Sequence, residues 1–277
     1  MLTGNADLSV TPKHIAPRNQ DYVLIFKKDQ VLTSGDDTSP SLATYEQLKP
    51  LLPKDTQLFE LVCAESVIVF CPDPSQGVEV AEQNGLCYRG IRAFQRAEEP
   101  QASLMTAGFH LWNWYRKNRY CGRCGKPMGR SETERALVCE ACGNIIYPMI
   151  APAVIVAVTK GDKLLLAQNL HYVTKHHTLI AGYVEVGESL EHAVRREVME
   201  EVGLRLGNVR YLGDQPWGVS GSMMFGFQAE AEGDDPIRLQ EDELSSAAWF
   251  SRDELPMELS RGSIAYALIE RFREGTL

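Results

Sequence analysis

Gly182-Tyr-Val-Glu-Val-Gly-Glu188, followed after seven residues by Arg196-Glu-Val-Met-Glu-Glu-Val-Gly-Leu204, decides the reading of this chain. Leu190, Ala193, Val194, Val198 and Val202 recur at three- and four-residue spacing, which predicts a helix with one buried stripe. Gly203 falls where a helix C-cap belongs. On that helix Glu197 and Glu201 share a face, with Cβ atoms about 5–6 Å apart. Like charges so placed destabilise a bare helix, so the pattern points to a counter-charge. Carboxylate oxygens suit hard divalent cations such as Mg²⁺ or Mn²⁺, and those ions suit phosphate oxygens.

The rest of the chain bounds what surrounds this segment. Its 277 residues are enough for two domains and a sizeable core. A hydrophobic content of 44% and a charged content of 23% are those of a globular protein. The net charge of −9 argues against a chain built mainly to grip nucleic acid. No run is long and apolar enough for a transmembrane helix. Residues 1–20 lack a basic start followed by an apolar core, so no signal peptide and a cytoplasmic location are expected.

Seven cysteines in such a compartment are not expected to pair as disulfides. Cys121-Gly-Arg-Cys124 and Cys139-Glu-Ala-Cys142 are each followed by glycine, Gly125 and Gly143. Two such knuckles bring four thiolates into a tetrahedron, a structural zinc site with no open position for catalysis. A redox dithiol or plain turn cysteines are the alternatives. Cys63, Cys71 and Cys87 read as small core residues.

Strand-like runs at 21–32 and 58–71, with a helical pattern over 94–116, predict an N-terminal α/β domain over residues 1–118. A zinc ribbon at 119–147 follows. From 148 to 277 a hairpin (Ala153–Thr159, then Lys163–Gln168) leads through a strand at 177–186 to the glutamate-bearing helix. Further strands are expected near 209–213, 223–230 and 247–250. An amphipathic helix at 263–272 closes the chain. Trp112-Asn-Trp-Tyr-Arg-Lys-Asn-Arg-Tyr120 reads as a helix packing its aromatics and solvating its cations; a contact to single-stranded RNA is the rival reading.

The quoted spacing matches the Nudix box at each fixed position, and the chain is identified as a member of the Nudix hydrolase family. The ribbon, Tyr147-Pro-Met-Ile-Ala-Pro152 and Gln215-Pro-Trp217 resemble its NADH pyrophosphatase branch. That resemblance implies a C-terminal α/β/α sandwich. It also implies metal-dependent hydrolysis of the diphosphate of NADH or NAD to nicotinamide mononucleotide and AMP, extending to NAD caps on RNA. Glu197, Glu200 and Glu201 then bind Mg²⁺ or Mn²⁺, joined by the carbonyl of Ala181. Arg196 orients a glutamate, and Glu188 supports or caps the helix. Glu243 is the late carboxylate, with Asp242 and Glu241 as rivals.

Implied substrate contacts are Tyr147 and Tyr183 around a base, Ala265, Glu134, Arg92, Gln215, Pro216, Trp217 and Ser222. Family members are dimers in which both subunits build each site, so a homodimer is expected. The branch carries Ser-Gln-Pro-Trp-Pro-Phe-Pro-x-Ser, whereas here Asp214 replaces the first serine and Gly218-Val-Ser220 replaces Pro-Phe-Pro. A looser loop is the expectation. Two alternatives stay open: a Nudix hydrolase of another dinucleotide or nucleotide sugar, and a nucleotide-sensing module with a zinc ribbon.

Overall fold

The computed structural model describes residues 7–9, 15–36, 39–64, 66–171, 176–256 and 262–277. The expectation for residues 1–20 falls largely outside them. Among the described residues no helix is long and apolar enough to cross a membrane. The chain divides into two compact units: one runs to Ile150 and takes in Gly218–Gly221, and the other comprises Ala151–Trp217 and Ser222–Leu277.

In the N-terminal unit β1 (Leu8–Ser9), β2 (Tyr22–Val23), β3 (Phe26–Lys27), β4 (Gln30–Gly35) and β5 (Pro40–Leu42) precede a short helix, α1 (Tyr45–Leu48). Then come β6 (Leu58–Ala64), β7 (Val67–Pro72), β8 (Cys87–Gly90) and helix α2 (Gln101–Lys117). The strands form two sheets, β1-β6-β7-β2 and β3-β4-β5 with β8 on β4. Leu104, Met105, Phe109 and Leu111 of α2 bury against Leu24, Leu61 and Val69. The helix starts later than its apolar period suggested, because Pro100 lacks a backbone donor and stands at the N-cap. Trp112 stacks on Phe26 with ring centroids 4.3 Å apart, and the Arg116 guanidinium lies over Trp112. The packing reading therefore holds for Trp112, Trp114 and Tyr115, whereas Tyr120 lies beyond the helix end and is exposed. Cys63 and Cys71 are buried as expected, but Cys87 is exposed: it lies on β8, which among the described residues pairs with β4 alone.

The ribbon belongs to this unit. Strands β9 (Gly129–Arg130), β10 (Leu137–Val138) and β11 (Ile145–Ile146) form a small antiparallel sheet beside the cysteine knuckles.

The C-terminal unit is a sandwich. Strands β12 (Ala151–Lys160), β13 (Lys163–Asn169) and β14 (Ile180–Tyr183) come first, then helix α3 (Leu190–Val202). Strands β15 (Leu206–Trp217), β16 (Ser222–Ala231) and β17 (Leu244–Ser251), and helix α4 (Ile264–Glu274), complete it. The sheet order is β15-β16-β12-β13-β17, with β14 also on β12. Because side chains alternate along a strand, Val154, Val156 and Val158 of β12 bury against Val194, Val198 and Val202 of α3. Ile155 and Ala157 pack on the other side with Leu268, Ile269 and Phe272 of α4. The central strand thus serves a helix on each face, the α/β/α arrangement expected.

The connection Gly218–Gly221 departs from expectation. Val219 packs against the core around α2, and a Cβ at Gly218 would overlap the carbonyl of Thr106. The segment is a packed turn with no room for a ring at 218, where a looser loop was expected.

Candidate active site

Helix α3 begins at Ser189, whose hydroxyl accepts from the His192 N–H, and ends at Gly203 in the left-handed region at φ 70°. A Ser cap of this kind contributes about 1 kcal/mol. The cap fixes the first turn, so that Arg196 projects back over the box loop. Its Nε and Nη2 donate to the two carboxylate oxygens of Glu188, each at 2.9 Å. Its Nη1 donates to Glu197 at 2.8 Å and to Glu200 at 3.0 Å, and Nη2 also reaches the Tyr183 carbonyl at 2.9 Å. One guanidinium therefore holds three glutamates and the end of β14. It keeps the Glu188 carboxyl below the usual range. Glu188 also closes the Gly187 turn by accepting from the Glu185 N–H.

The inner side of α3 carries the buried Glu201 and the partly buried Glu197. Glu201 is 5% exposed. Burial pushes its pKa up to about 8, and Glu197, Glu243 and Glu200 add to the push. Burial also raises Glu197, against the opposing pull of Arg196. Gln240 N–H donates to the Glu201 carbonyl and Glu243 N–H to the Gln240 carbonyl, which ties the loop bearing Glu243 to the end of α3. At Gly182 a Cβ would overlap the Glu197 carboxylate, so glycine lets that carboxylate lie against β14 without swinging away. Ala181, one residue before it, pairs with Ile155 of the central strand.

The sequence-predicted residues of this unit fall into two kinds. Tyr183 is half-exposed, and its hydroxyl lies 3.3 Å from the buried Ser222 hydroxyl. Pro216 is exposed and Trp217 half-buried, paired with Met223 and Ser222 of β16. Gln215 is buried. Its amide donates to the Gly262 carbonyl at 2.8 Å and accepts from the Ile264 N–H at 2.8 Å. It thus pins the start of α4, where Ala265 is buried. Asp214, in place of the branch's serine, accepts from the Tyr211 hydroxyl.

In the N-terminal unit the four ribbon cysteines come together, with all sulfurs within 4.8 Å of one another. Gly125 and Gly143, at φ 72° and 71°, turn each knuckle back, and their N–H groups donate to the Cys121 and Cys139 carbonyls. This donor set fits one tetrahedral zinc. Tyr147 donates to Glu134 at 3.0 Å, so these two predicted contacts form a pair. Arg92 is exposed on the 3₁₀ turn Ile91–Arg96.

Sequence reasoning missed the bond from Arg196 to the Tyr183 carbonyl. It also missed a cluster on β6 and the ribbon: Glu60, Arg130 and Arg135. Glu60 sits inside an apolar strand run, and that interruption was the available signal.

Two family models match the chain: the NUDIX domain over residues 149–272 and the NADH pyrophosphatase zinc ribbon domain over residues 116–147. A protein of Salmonella schwarzengrund named NAD-capped RNA hydrolase NudC is 45% identical over 167 residues, 60% of this chain and 65% of that protein. One of the same name from Pseudomonas fluorescens is 40% identical over 193 residues, 69% of this chain and 70% of that protein. A crystal structure of a NUDIX hydrolase from Nitrosomonas europaea aligns at 20% identity and a TM-score of 0.48, covering 56% of this chain and 91% of that one. The chain belongs to the Nudix hydrolase family, in the branch marked by the NADH pyrophosphatase zinc ribbon. It matches 65% of the length of the Salmonella relative.

Proposed function

We propose that this chain hydrolyses the diphosphate link of NADH and NAD to nicotinamide mononucleotide and AMP, and acts on the same link in NAD-capped RNA. The reading is supported by the acidic end of α3: Glu201 is buried and its carboxyl is pushed up to about 8 by burial first, with Glu197, Glu243 and Glu200 adding their charge. Carboxylates that raise one another in this way suit a hard divalent cation, Mg²⁺ or Mn²⁺, as counter-charge. Glu197, Glu200, Glu201 and Glu243 would hold it, with the Ala181 carbonyl. Such an ion neutralises diphosphate oxygens and orients a water.

The chain's own residues do the rest. Arg196 fixes the glutamates in register, and Gly182 lets the Glu197 carboxylate approach β14. Tyr183 offers a face for a planar ring, and Ser222 steadies its hydroxyl. Gln215 sets the start of α4 and with it Ala265. Pro216 and Trp217 line the adjoining strand end, and Glu134, Tyr147 and Arg92 supply further polar and aromatic contacts.

Segments 1–118, 119–147 and 148–277 are then the N-terminal α/β domain, the zinc ribbon and the Nudix hydrolase domain. A homodimer in the cytoplasm completes the proposal. The relatives' printed name supports the substrate class.

The test is product chromatography of NADH, NAD, ADP-ribose and NAD-capped RNA, side by side with Mg²⁺ or Mn²⁺. Nicotinamide mononucleotide and AMP from NADH or NAD, and capped RNA converted to a 5′-monophosphate, are expected. Turnover confined to ADP-ribose would contradict the proposal.

A further inference from the structure

The ribbon loop Ser131-Glu-Thr-Glu134 is bracketed by two arginines, and both are fastened to neighbouring residues of one strand of the N-terminal sheet. Arg130, at the end of β9, donates from Nη2 to Glu60 at 3.1 Å. Glu60 lies in β6 and is only 7% exposed, so removing this partner would leave a buried side chain without its ion pair. The Arg130 guanidinium also lies over the rings of Phe59 and Tyr115, 4.4 and 5.4 Å from their centroids. Arg135, just after the loop, donates from Nη1 to the Leu61 carbonyl at 2.6 Å. Within the loop, the Ser131 hydroxyl accepts from the Thr133 and Glu134 N–H groups. On the far side Glu134 accepts from the Tyr147 hydroxyl.

The loop is thus stretched between two anchors on β6, and its last residue presents the Glu134–Tyr147 pair. A surface loop held only by its own turn would not need two guanidinium anchors. A stacked, ion-paired arginine fixes position more firmly than a lysine, because its planar fork is already organised.

We propose that Arg130 and Arg135 are positioning residues: they lock the ribbon loop onto β6 so that the Glu134–Tyr147 pair is held in place for substrate. The N-terminal sheet then serves as the template for a substrate contact. This rests on the reading of Glu134 and Tyr147 as substrate contacts given above. The two arginines touch no substrate in this account and act only through Glu134.

The test is a double-mutant cycle on the full, zinc-loaded chain with NADH. Glu134→Gln and Arg130→Gln should each raise KM several-fold with kcat little changed, and the double variant should be no worse than Glu134→Gln alone. Hydrogen exchange in residues 131–137 should quicken in Arg130→Gln, with zinc content unchanged. Arg130→Lys should restore only part of the KM. If Arg130→Gln does not fold, Glu60→Gln loosens the same anchor while leaving the stacked guanidinium.

Additive KM effects, or an unchanged KM and unchanged exchange in a folded Arg130 variant, would overturn the proposal. A Glu134→Gln variant with normal KM, alongside faster loop exchange in Arg130→Gln, would instead remove Glu134 from the substrate contacts. In that case the anchoring stands, but its role in binding does not.

Discussion

Arg196 closes on both carboxylate oxygens of Glu188, Nε on Oε1 and Nη2 on Oε2, each at 2.9 Å. The same guanidinium reaches Glu197, Glu200 and the Tyr183 carbonyl. Lysine offers a single ammonium and cannot span these partners. Arg196→Lys is therefore expected to lower kcat by about 10–100-fold, as loss of a group orienting metal ligands does, with the fold intact by circular dichroism. Activity within about twofold of wild type would show that the fork is dispensable.

Gly182→Ala introduces a Cβ where the Glu197 carboxylate lies. The carboxylate must swing away, so Mn²⁺ affinity measured by calorimetry should fall by about tenfold or more. The strand itself should survive, since alanine fits an extended strand better than glycine. Unchanged Mn²⁺ affinity would mean that Glu197 is not a ligand.

Glu201→Gln should separate stability from function. Burial lifts the folded pKa from 4.5 to about 8, so the folded chain keeps a proton that the unfolded chain releases. The stability tied to that proton is full below the unfolded value and is lost as pH rises through about 8. Glutamine does not titrate. Without metal, the variant should therefore gain Tm relative to wild type between about pH 5 and about pH 8. Added Mn²⁺ should raise Tm more in wild type. A Tm difference independent of pH would contradict the buried, crowded carboxyl.

Zinc removal should unfold the ribbon locally. Cys124→Ser is expected to lower zinc content below one per chain and to lower Tm with it. Because Arg130 and Arg135 tie the ribbon to β6, hydrogen exchange in Leu58–Ala64 should quicken as well. Full zinc retention in the variant would refute the four-thiolate site.

Gly218→Pro, which restores the branch's residue, is expected to destabilise the chain by about 1–3 kcal/mol, because the ring meets the Thr106 carbonyl. Chemical denaturation checks this. A more stable variant with lower KM for NADH would return the segment to the role of a loose substrate loop.

Much of the candidate site was legible because it is local. Glu197, Glu200, Glu201 and Arg196 sit on one helix capped by Gly203, where spacing fixes geometry, and paired Cys-x-x-Cys knuckles carry their own turn. Long-range partners were less legible. Val219 and Gly218 meet α2 across more than a hundred residues of sequence, so a reading confined to the loop saw only missing prolines. Glu60 and Arg130 are 70 residues apart, and each alone reads as a surface charge. Gln215 matched a substrate motif, yet its amide is occupied by the backbone at 262 and 264, a contact that no local pattern announces.

The most direct test of the central claim is NADH turnover at saturating Mn²⁺ by wild type and by Glu201→Gln shown to be folded. The account predicts equal amounts of reduced nicotinamide mononucleotide and AMP from wild type. It predicts a drop of about 10²–10⁴ in kcat for the variant. A variant retaining more than about a tenth of wild-type kcat, or wild-type products that leave the diphosphate intact, would contradict it.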